Sequence, residues 1–527
     1  MGEGSVSSGD CARLRAQSNG AQAQGGFSAH TLRLHSKLGA GCKSLLLSGD
    51  NSDPLAESIR LYALDEATYG LLRRQPQFSA ARVVSNGQRI LFLASFVLFA
   101  LTMTTFPATG GLLLTGIVAC GYLANAIFRA VLFWVGADEA LTGNVLGAER
   151  LPLPIYTVLV PLYREANVVP QLAKSLRRLE YPAAQLDCKL VVEEDDEETR
   201  EAALAAASDG FFDVIVVPKG EPRTKPRACN YALQFARGEY LVIYDAEDRP
   251  EPDQLKKALH AFDAGVTELA CVQARLNFFN ARECWTTRMF ALDYSLWFDF
   301  LLPGLDRLQI PMPLGGTSNH FKTDALRAID GWDPFNVTED ADLGIRLSRL
   351  GLRVKTLDST TYEEATNATG NWLRQRTRWL KGYMQTWLVH MRDPRQLVRN
   401  AGWGGFLGFQ MFVGGTVLSA LLNPFLWLVF IASFFVKLPA IGFSSTIHSI
   451  SGFGLLIGNA LFAYLAMLGP YRRRWLDLSP YALLVPLYWL LISVAAYRAL
   501  WQLAYDPWRW EKTPHGLSRM AATGDLP

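Results

Sequence analysis

Two apolar runs near the start of the chain, Ile90 to Phe106 and Leu112 to Val135, constrain its fold more than any other feature. Each approaches the ~20 residues that a helix needs to cross a bilayer core of about 30 Å. Arg82 and Arg89 precede the first run, and Arg129 lies in the last turns of the second. Cationic flanks stay on the cytoplasmic side, so the reading is a transmembrane hairpin over 89–136 with both ends inside. A buried soluble hairpin is the competing reading. After Asn400 the chain turns apolar again. Trp403, Phe406, Phe409 and Phe412 fall at helical spacing, which suits a helix lying in the membrane interface. Gly414 to Val436 and Gly452 to Leu468 read as spans, and Tyr481 to Leu503 as a third run broken by Pro486. YRRRW at 471–475 is expected in the cytoplasm. Three crossings would leave the C-terminus outside, whereas Arg498, Arg509 and Lys512 favour inside. A re-entrant run or an extra crossing through 402–424 would restore the parity.

The totals agree with a membrane protein. Of 527 residues only 19% are charged, against about 25% in soluble domains. A net charge of +2 gives no basic field of the kind that nucleic acid needs. The seven cysteines show no C-x-x-C and no metal-ligand spacing, which reads as reduced thiols. The N-terminus lacks the apolar stretch of a cleaved signal peptide. Residues 1–52, rich in Gly, Ser, Ala and Gln, read as disordered. Residues 53–88 fit a short amphipathic helical segment with Leu55, Ile59 and Tyr62 on its apolar face.

Between the apolar blocks, residues 137–400 alternate strand-like and helix-like stretches. IYTVLVPLY, CKLVVEE, DVIVVPK and EYLVIYDAED are the strands. NVVPQLAKSLRRL, EETREAALAAA and RACNYALQFA are the helices. This pattern predicts an α/β domain with a mostly parallel sheet, which binds ligands at the carboxyl ends of its strands. Acidic residues gather at two such ends. YDAEDRPEP carries Asp245, Glu247 and Asp248, oxygen donors suited to Mg²⁺ or Mn²⁺ as well as to a solvated turn. CKLVVEEDDEETR carries six consecutive acids, most of them fit for a helix N-terminus. Asp195, with Asp196 next, is the candidate for contacting a nucleobase or ribose. KPRACNYAL supplies Lys225 and Asn230. NVTEDADLGIRL sets Thr338, Glu339 and Asp340 before a helix, where they serve as caps or as a general base. In QRTRW, Gln375, Arg378 and Trp379 share one helical face. Arginine grips phosphate through its planar fork, and an indole stacks on the C–H face of a pyranose.

In this order, VLVPLYREAN, the acids at 193–196, DAED, TED and QRTRW resemble the membrane-embedded processive family 2 glycosyltransferases, the group of cellulose, chitin and hyaluronan synthases. The resemblance runs from about Tyr156 to the C-terminus. It implies a GT-A-like, nucleotide-sugar-binding α/β domain over 137–400, inserted between transmembrane helices. It implies inverting transfer from a UDP-sugar with Mg²⁺ or Mn²⁺. By position, Asp195 would sit at the uridine, Asp245 with Glu247 would match the D-x-D, and Asp340 would be the base beside Glu339. Gln375, Arg378 and Trp379 would hold the diphosphate and the acceptor sugar. GGTSNHF at 315–321 looks like the acceptor-side loop. WEKTPHG at 510–516, in the tail 506–527, resembles a gating loop that places Lys512 and Thr513 near the diphosphate. Glutamate replaces the second aspartate of D-x-D, which leaves Asp248 as a rival ligand. RQLVR at 395–399 lacks the companion motif for cyclic-di-GMP.

The expected protein is therefore a multi-pass inner-membrane enzyme with a cytoplasmic catalytic domain and apolar helices over 401–505. It would polymerise a β-linked polysaccharide from UDP-sugar, with UDP-glucose favoured, and export it. Its partners would be the UDP-sugar, the nascent polysaccharide and the bilayer, with periplasmic or regulatory proteins beside them and no nucleic acid. The alternatives are single transfer to a lipid acceptor and a catalytically silent receptor or scaffold.

Overall fold

The computed structural model describes residues 54–138, 152–432, 435, 445–512, 516 and 518. The segment 1–52 and Thr513 lie outside them. The central domain is built on an eight-stranded sheet: β1 (Tyr156–Leu162), β2 (Leu186–Glu193), β3 (Phe212–Val217), β4 (Tyr240–Ile243), β5 (Arg249–Pro250), β6 (Leu269–Phe278), β7 (Asn319–Lys322) and β8 (Arg353–Glu363). Their order is β3-β2-β1-β4-β7-β6-β8-β5. The first four run parallel, as the strand–helix alternation predicts. The second half departs from that expectation. Strand β7 is antiparallel to β4 and β6, and β6 returns parallel to β8, so the sheet is mixed. Near-continuous apolar strands are buried on both faces. Leu159, Leu241 and Ile243 enter one core, and Val158, Val160 and Val242 enter the other.

Helix α1 (Pro54–Arg74) covers one flank of this sheet. Its buried face is Ala63, Leu64, Ala67 and Leu71. Ile59 and Tyr62, expected on the apolar face, are only half-buried, and Leu61 is exposed. The partner of α1 is the helix α2 (Lys225–Leu233), through backbone carbonyls: Asn230 Nδ2 donates to Ala67 O (3.0 Å) and Gln234 Nε2 to Ala63 O (2.8 Å). Asn230 also donates to Trp332 O (2.8 Å) and accepts from Trp332 N (2.9 Å). Its amide, expected at the substrate, is taken up here in joining α1 to the domain.

The helices α3 (Asn86–Thr105) and α4 (Pro107–Ala137) form the early hairpin. Ser85 and Gln88 close a capping box at its start, and Gln88 Nε2 reaches Leu388 O (2.7 Å). The end of α4 meets the helix Leu302–Arg307 backbone to backbone. A Cβ on Gly304 would lie 2.2 Å from Leu132 O, so only glycine permits this approach. Large apolar side chains such as Ile90, Leu93 and Phe96 point outward from α3, which water would not tolerate over a whole face.

Behind the sheet lie α5 (Trp285–Leu296), α6 (Glu339–Arg349) and α7 (Thr369–His390). The chain then enters α8 (Pro394–Phe409), α9 (Gly415–Ala432), α10 (Ser445–Leu468) and α11 (Val485–Tyr505). Counting the hairpin, five helical segments among the described residues are long and apolar enough to cross a membrane. Helix α8 breaks at Gly402, whose φ of 69° belongs to glycine. Of the four aromatics expected in the interface, Trp403 is exposed, but Phe409 and Phe412 are fully buried in protein. Pro486 sits in the first turn of α11, where its missing N–H costs nothing, so it opens the helix and does not break it.

Helix α11 contacts α7 near both of its ends. Tyr488 accepts from Trp372 Nε1 (3.2 Å) and Arg376 Nη2 (2.8 Å). Past its other end, Lys381 Nζ donates to Arg509 O (2.7 Å) and Gln385 Nε2 to Pro507 O (2.9 Å). The two helices therefore run side by side.

Replacing Asn230 with alanine strips two buried carbonyls of their donor. The expected cost is about 1–3 kcal/mol of stability, read as a lower thermal midpoint of the purified protein in detergent. The KM for donor should stay within twofold, since Asn230 does not line the cavity described next.

Candidate active site

One cavity of about 390 Å³ runs from the carboxyl ends of the strands to the apolar helices. Its sheet-side wall is acidic. Asp245 and Glu247 follow β4, Glu363 ends β8, and Glu339 with Asp340 opens α6; all five line the cavity. Burial pushes the Glu247 and Glu363 carboxyls well above the usual range, and neighbouring acids add to it: Asp245 and Glu165 for Glu247, Asp248, Glu247 and Asp245 for Glu363. Burial and then Asp340 push Glu339 up to about 8. Asp340 is raised by burial against the pull of Lys225 and Arg378. Both α6 acids are thus pushed toward their neutral forms.

Lys225, at the first turn of α2, answers this charge. Its Nζ binds Asp245 Oδ1 and donates to Gly316 O (2.7 Å). Burial alone would lower its pKa; Asp245 and Glu339 outweigh that and raise it, so it stays charged. Capping does not account for the acids of α6. Thr338 makes no side-chain cap and its Oγ1 is buried without a partner. Asp340 Oδ1 accepts from Ala341 N (2.8 Å), and Oδ2 lies 3.2 Å from where a Cβ on Gly316 would stand.

Helix α7 forms the opposite wall. Gln375, Arg378 and Trp379 line the cavity together, as their spacing predicts. Gln375 Oε1 and Arg378 Nε are buried without hydrogen-bond partners, an arrangement that awaits a polar ligand. Trp379 packs against Phe290 and Tyr294, and the Arg376 guanidinium lies 4.7 Å from its ring centroid. Arg376 is fixed in turn by Asp293 (2.5 Å). From the C-terminal tail, Trp510 and Lys512 complete the rim. Arg378 faces the Trp510 ring at 5.6 Å, and Lys512 pairs with Glu165 (3.1 Å).

Three other expected site residues lie elsewhere. Asp195 is bound to Arg223 (2.8 Å) and does not line the cavity, although Arg223 does. Asp196 caps the helix Glu197–Ala206 by accepting from Thr199 N (3.4 Å), and it also accepts from Arg164 N. Asp248 is 1% exposed; its Oδ2 accepts from Asp245 N (2.7 Å) and from the Thr317 hydroxyl. It braces the turn that aims Asp245 and Glu247 into the cavity, so Glu247 is the better match for the second acid. The reading from sequence missed Glu363, Arg223 and Tyr163. Glu363 ends its strand in the doublet Glu363–Glu364, which the reading from sequence passed over. Among the described residues no group of three or more His, Cys, Asp or Glu stands ready as a complete metal shell. The five described cysteines are free thiols.

Residues 153–382 match the family described as Glycosyltransferase like family 2. The probable glycosyltransferase YdaM of Bacillus subtilis is 24% identical over 63% of this chain and 83% of its own. The β-monoglucosyldiacylglycerol synthase of a Nostoc species is 27% identical over 45% of this chain, which spans 50% of that protein. Among solved structures, a mannosyltransferase from Pyrobaculum calidifontis aligns over 74% of this chain and 99% of its own, at 20% identity and a TM-score of 0.44. The matched sequence and the cleft it builds agree: residues 153–382 form a domain similar to the family 2 glycosyltransferases, and the chain is a glycosyltransferase.

Proposed function

We propose that the chain polymerises a β-linked polysaccharide from a UDP-sugar, with UDP-glucose the first donor to test, and passes the product between its own membrane helices. The observation that carries this reading is the continuity of the cavity. The same space is lined by Asp245 and Asp340 and by Asn125, Ser419 and Asn459 of α4, α9 and α10. A path with polar side chains at membrane depth suits a glycan moving away from the acids.

The donor diphosphate fits between Lys225, Arg378 and Lys512. Asp245 and Glu247 would hold Mg²⁺ or Mn²⁺; two carboxylates two residues apart that face one cavity fit a divalent ion, with substrate phosphates completing its shell. Such an ion supplies charge for the leaving diphosphate. Asp340 takes the proton of the acceptor hydroxyl as that oxygen attacks the anomeric carbon. The C1–O bond to the diphosphate breaks, UDP leaves with its electrons, and the configuration inverts. Trp379 offers the acceptor ring a stacking surface.

Membrane placement belongs to the same proposal. With α9 and α10 crossing and α11 lying along α7, the tail carrying Lys512 returns to the catalytic side. The inner membrane, with the domain in the cytoplasm, satisfies the cationic flanks. Single transfer to a lipid acceptor is the second reading, favoured by the likeness to a glucosyldiacylglycerol synthase. Product length from radiolabelled UDP-glucose decides between them: a ladder supports polymerisation, and one added sugar overturns it.

Asp340→Asn should lower kcat by about 10²–10⁴-fold, measured as UDP release, and leave donor binding intact. Arg378→Ala should raise the donor KM tenfold or more; Trp379→Ala should spare it and raise the acceptor KM. Asp340 works as a carboxylate and burial raises its pKa. The rate should therefore be full above that pKa and fall as pH drops through it, at a higher pH than the ordinary aspartate value of 3.8. Arg378→Ala removes a charge that holds this pKa down and should move the acid limb higher still.

A further inference from the structure

The membrane-side half of the cavity holds a charge that the proposed reaction leaves unused. Arg129 of α4 lines that half and is only 6% exposed. A guanidinium buried at the junction of the domain with the apolar helices is costly unless it is paired. Among the described residues no carboxylate lies within ion-pair distance of Arg129. Its Nη2 donates to Thr416 Oγ1 (2.7 Å), and its Cζ stands 5.6 Å and 5.1 Å from the Phe412 and Phe462 ring centroids. A guanidinium carries five N–H donors, so these contacts do not exhaust it. Asp293, the acid that α5 contributes to the cavity lining, is already bound to Arg376.

A second group one helical turn away also lacks a partner. Asn125 shares a face with Arg129 at i, i+4. It is 8% exposed and lines the same cavity. Its Nδ2 donates to Ser419 Oγ (3.1 Å), but its Oδ1 is buried with no donor. An acceptor oxygen without a donor calls for a hydroxyl. A neutral glycan would use the amides and hydroxyls of this wall and would give no reason for an unneutralised guanidinium among them.

We propose that this half of the cavity is a subsite for an acceptor bearing an oxyanion and a neighbouring hydroxyl, the oxyanion on Arg129 and the hydroxyl on Asn125 Oδ1. The proposal rests on the reading that the cavity takes the acceptor. The oxyanion is a phosphate or a carboxylate. With a neutral donor sugar it belongs to the lipid or glycan on which the chain starts; with a uronate donor it belongs to the chain itself.

The test uses the full-length protein in nanodiscs with UDP-glucose and two matched pairs of acceptors. Phosphatidylglycerol is set against diacylglycerol, and a glucuronate-terminated disaccharide against cellobiose. Initial rates of transfer give the acceptor KM, and UDP release without acceptor is followed separately. The expected result is a KM at least tenfold lower for the anionic member of one pair; which pair shows it identifies a lipid phosphate or a sugar carboxylate. Arg129→Gln should bring the two members within twofold, and Arg129→Lys should keep part of the difference. Asn125→Asp serves as the variant that protects the packing: it places a carboxylate one turn before Arg129, neutralises it, and should also erase the preference. Equal KM values within both pairs, or a preference that survives Arg129→Gln and Asn125→Asp, would overturn the subsite. Absence of UDP release from any UDP-sugar would strike instead at the proposed function.

Discussion

Like charges crowded out of water govern this molecule. Asp245, Glu247, Glu339, Asp340 and Glu363 line one cavity, and burial raises Glu247, Glu339, Asp340 and Glu363. Carboxylates so placed either hold protons or find cations. Lys225 supplies one fixed cation from α2, and Arg378 another from α7. Neither elements nor charges are interchangeable, because the acids come from β4, β8 and α6 and meet only when the sheet is complete. The mixed half of the sheet is what brings them together. With β7 reversed between β4 and β6, the loop before β7 sets Gly316 beside both Lys225 and Asp340.

Helix α7 turns that electrostatic arrangement into a junction with the apolar helices. One of its faces presents Gln375, Arg378 and Trp379 to the cavity. Arg376 binds Asp293 of α5 and Tyr488 of α11, and its guanidinium is enclosed by the rings of Phe290 and Trp379. A planar cation between aromatic faces, anchored by a carboxylate, is a rigid spacer. It holds the plane of Trp379 relative to α11, so this wall of the cavity keeps one geometry.

Local chemistry was legible in the sequence wherever a signal was confined to one element. The four parallel strands, their helices and the QRTRW face could be read because each obeys its own period. What the sequence hid was set by partners far along the chain. Asn230 looked like a ligand because it sits five residues after Lys225, yet α1 claims its amide. Asp196 and Asp248 sit among acids whose neighbours do face the cavity; a cap and a turn brace use the same side chains as a ligand site does. Glu363 sits in a Glu363–Glu364 doublet, but only the pairing of β8 with the distant β6 brings it to the cavity. The expected mostly parallel sheet failed at β7, whose four residues show no period of their own.

The crossing number illustrates the same point from the apolar side. By composition α11 is long and apolar enough to be a span, like α9 or α10. Its contacts add what composition leaves out. Trp372 and Arg376 hold its start through Tyr488, and Lys381 and Gln385 hold the chain just past its end. Those four donors lie on α7, a helix that faces the acids. An apolar helix tied at both ends to α7 leaves its following residues on the catalytic side, which is where Trp510 and Lys512 close the cavity. Hydropathy measures what a helix tolerates; the hydrogen bonds at its two ends decide where it lies.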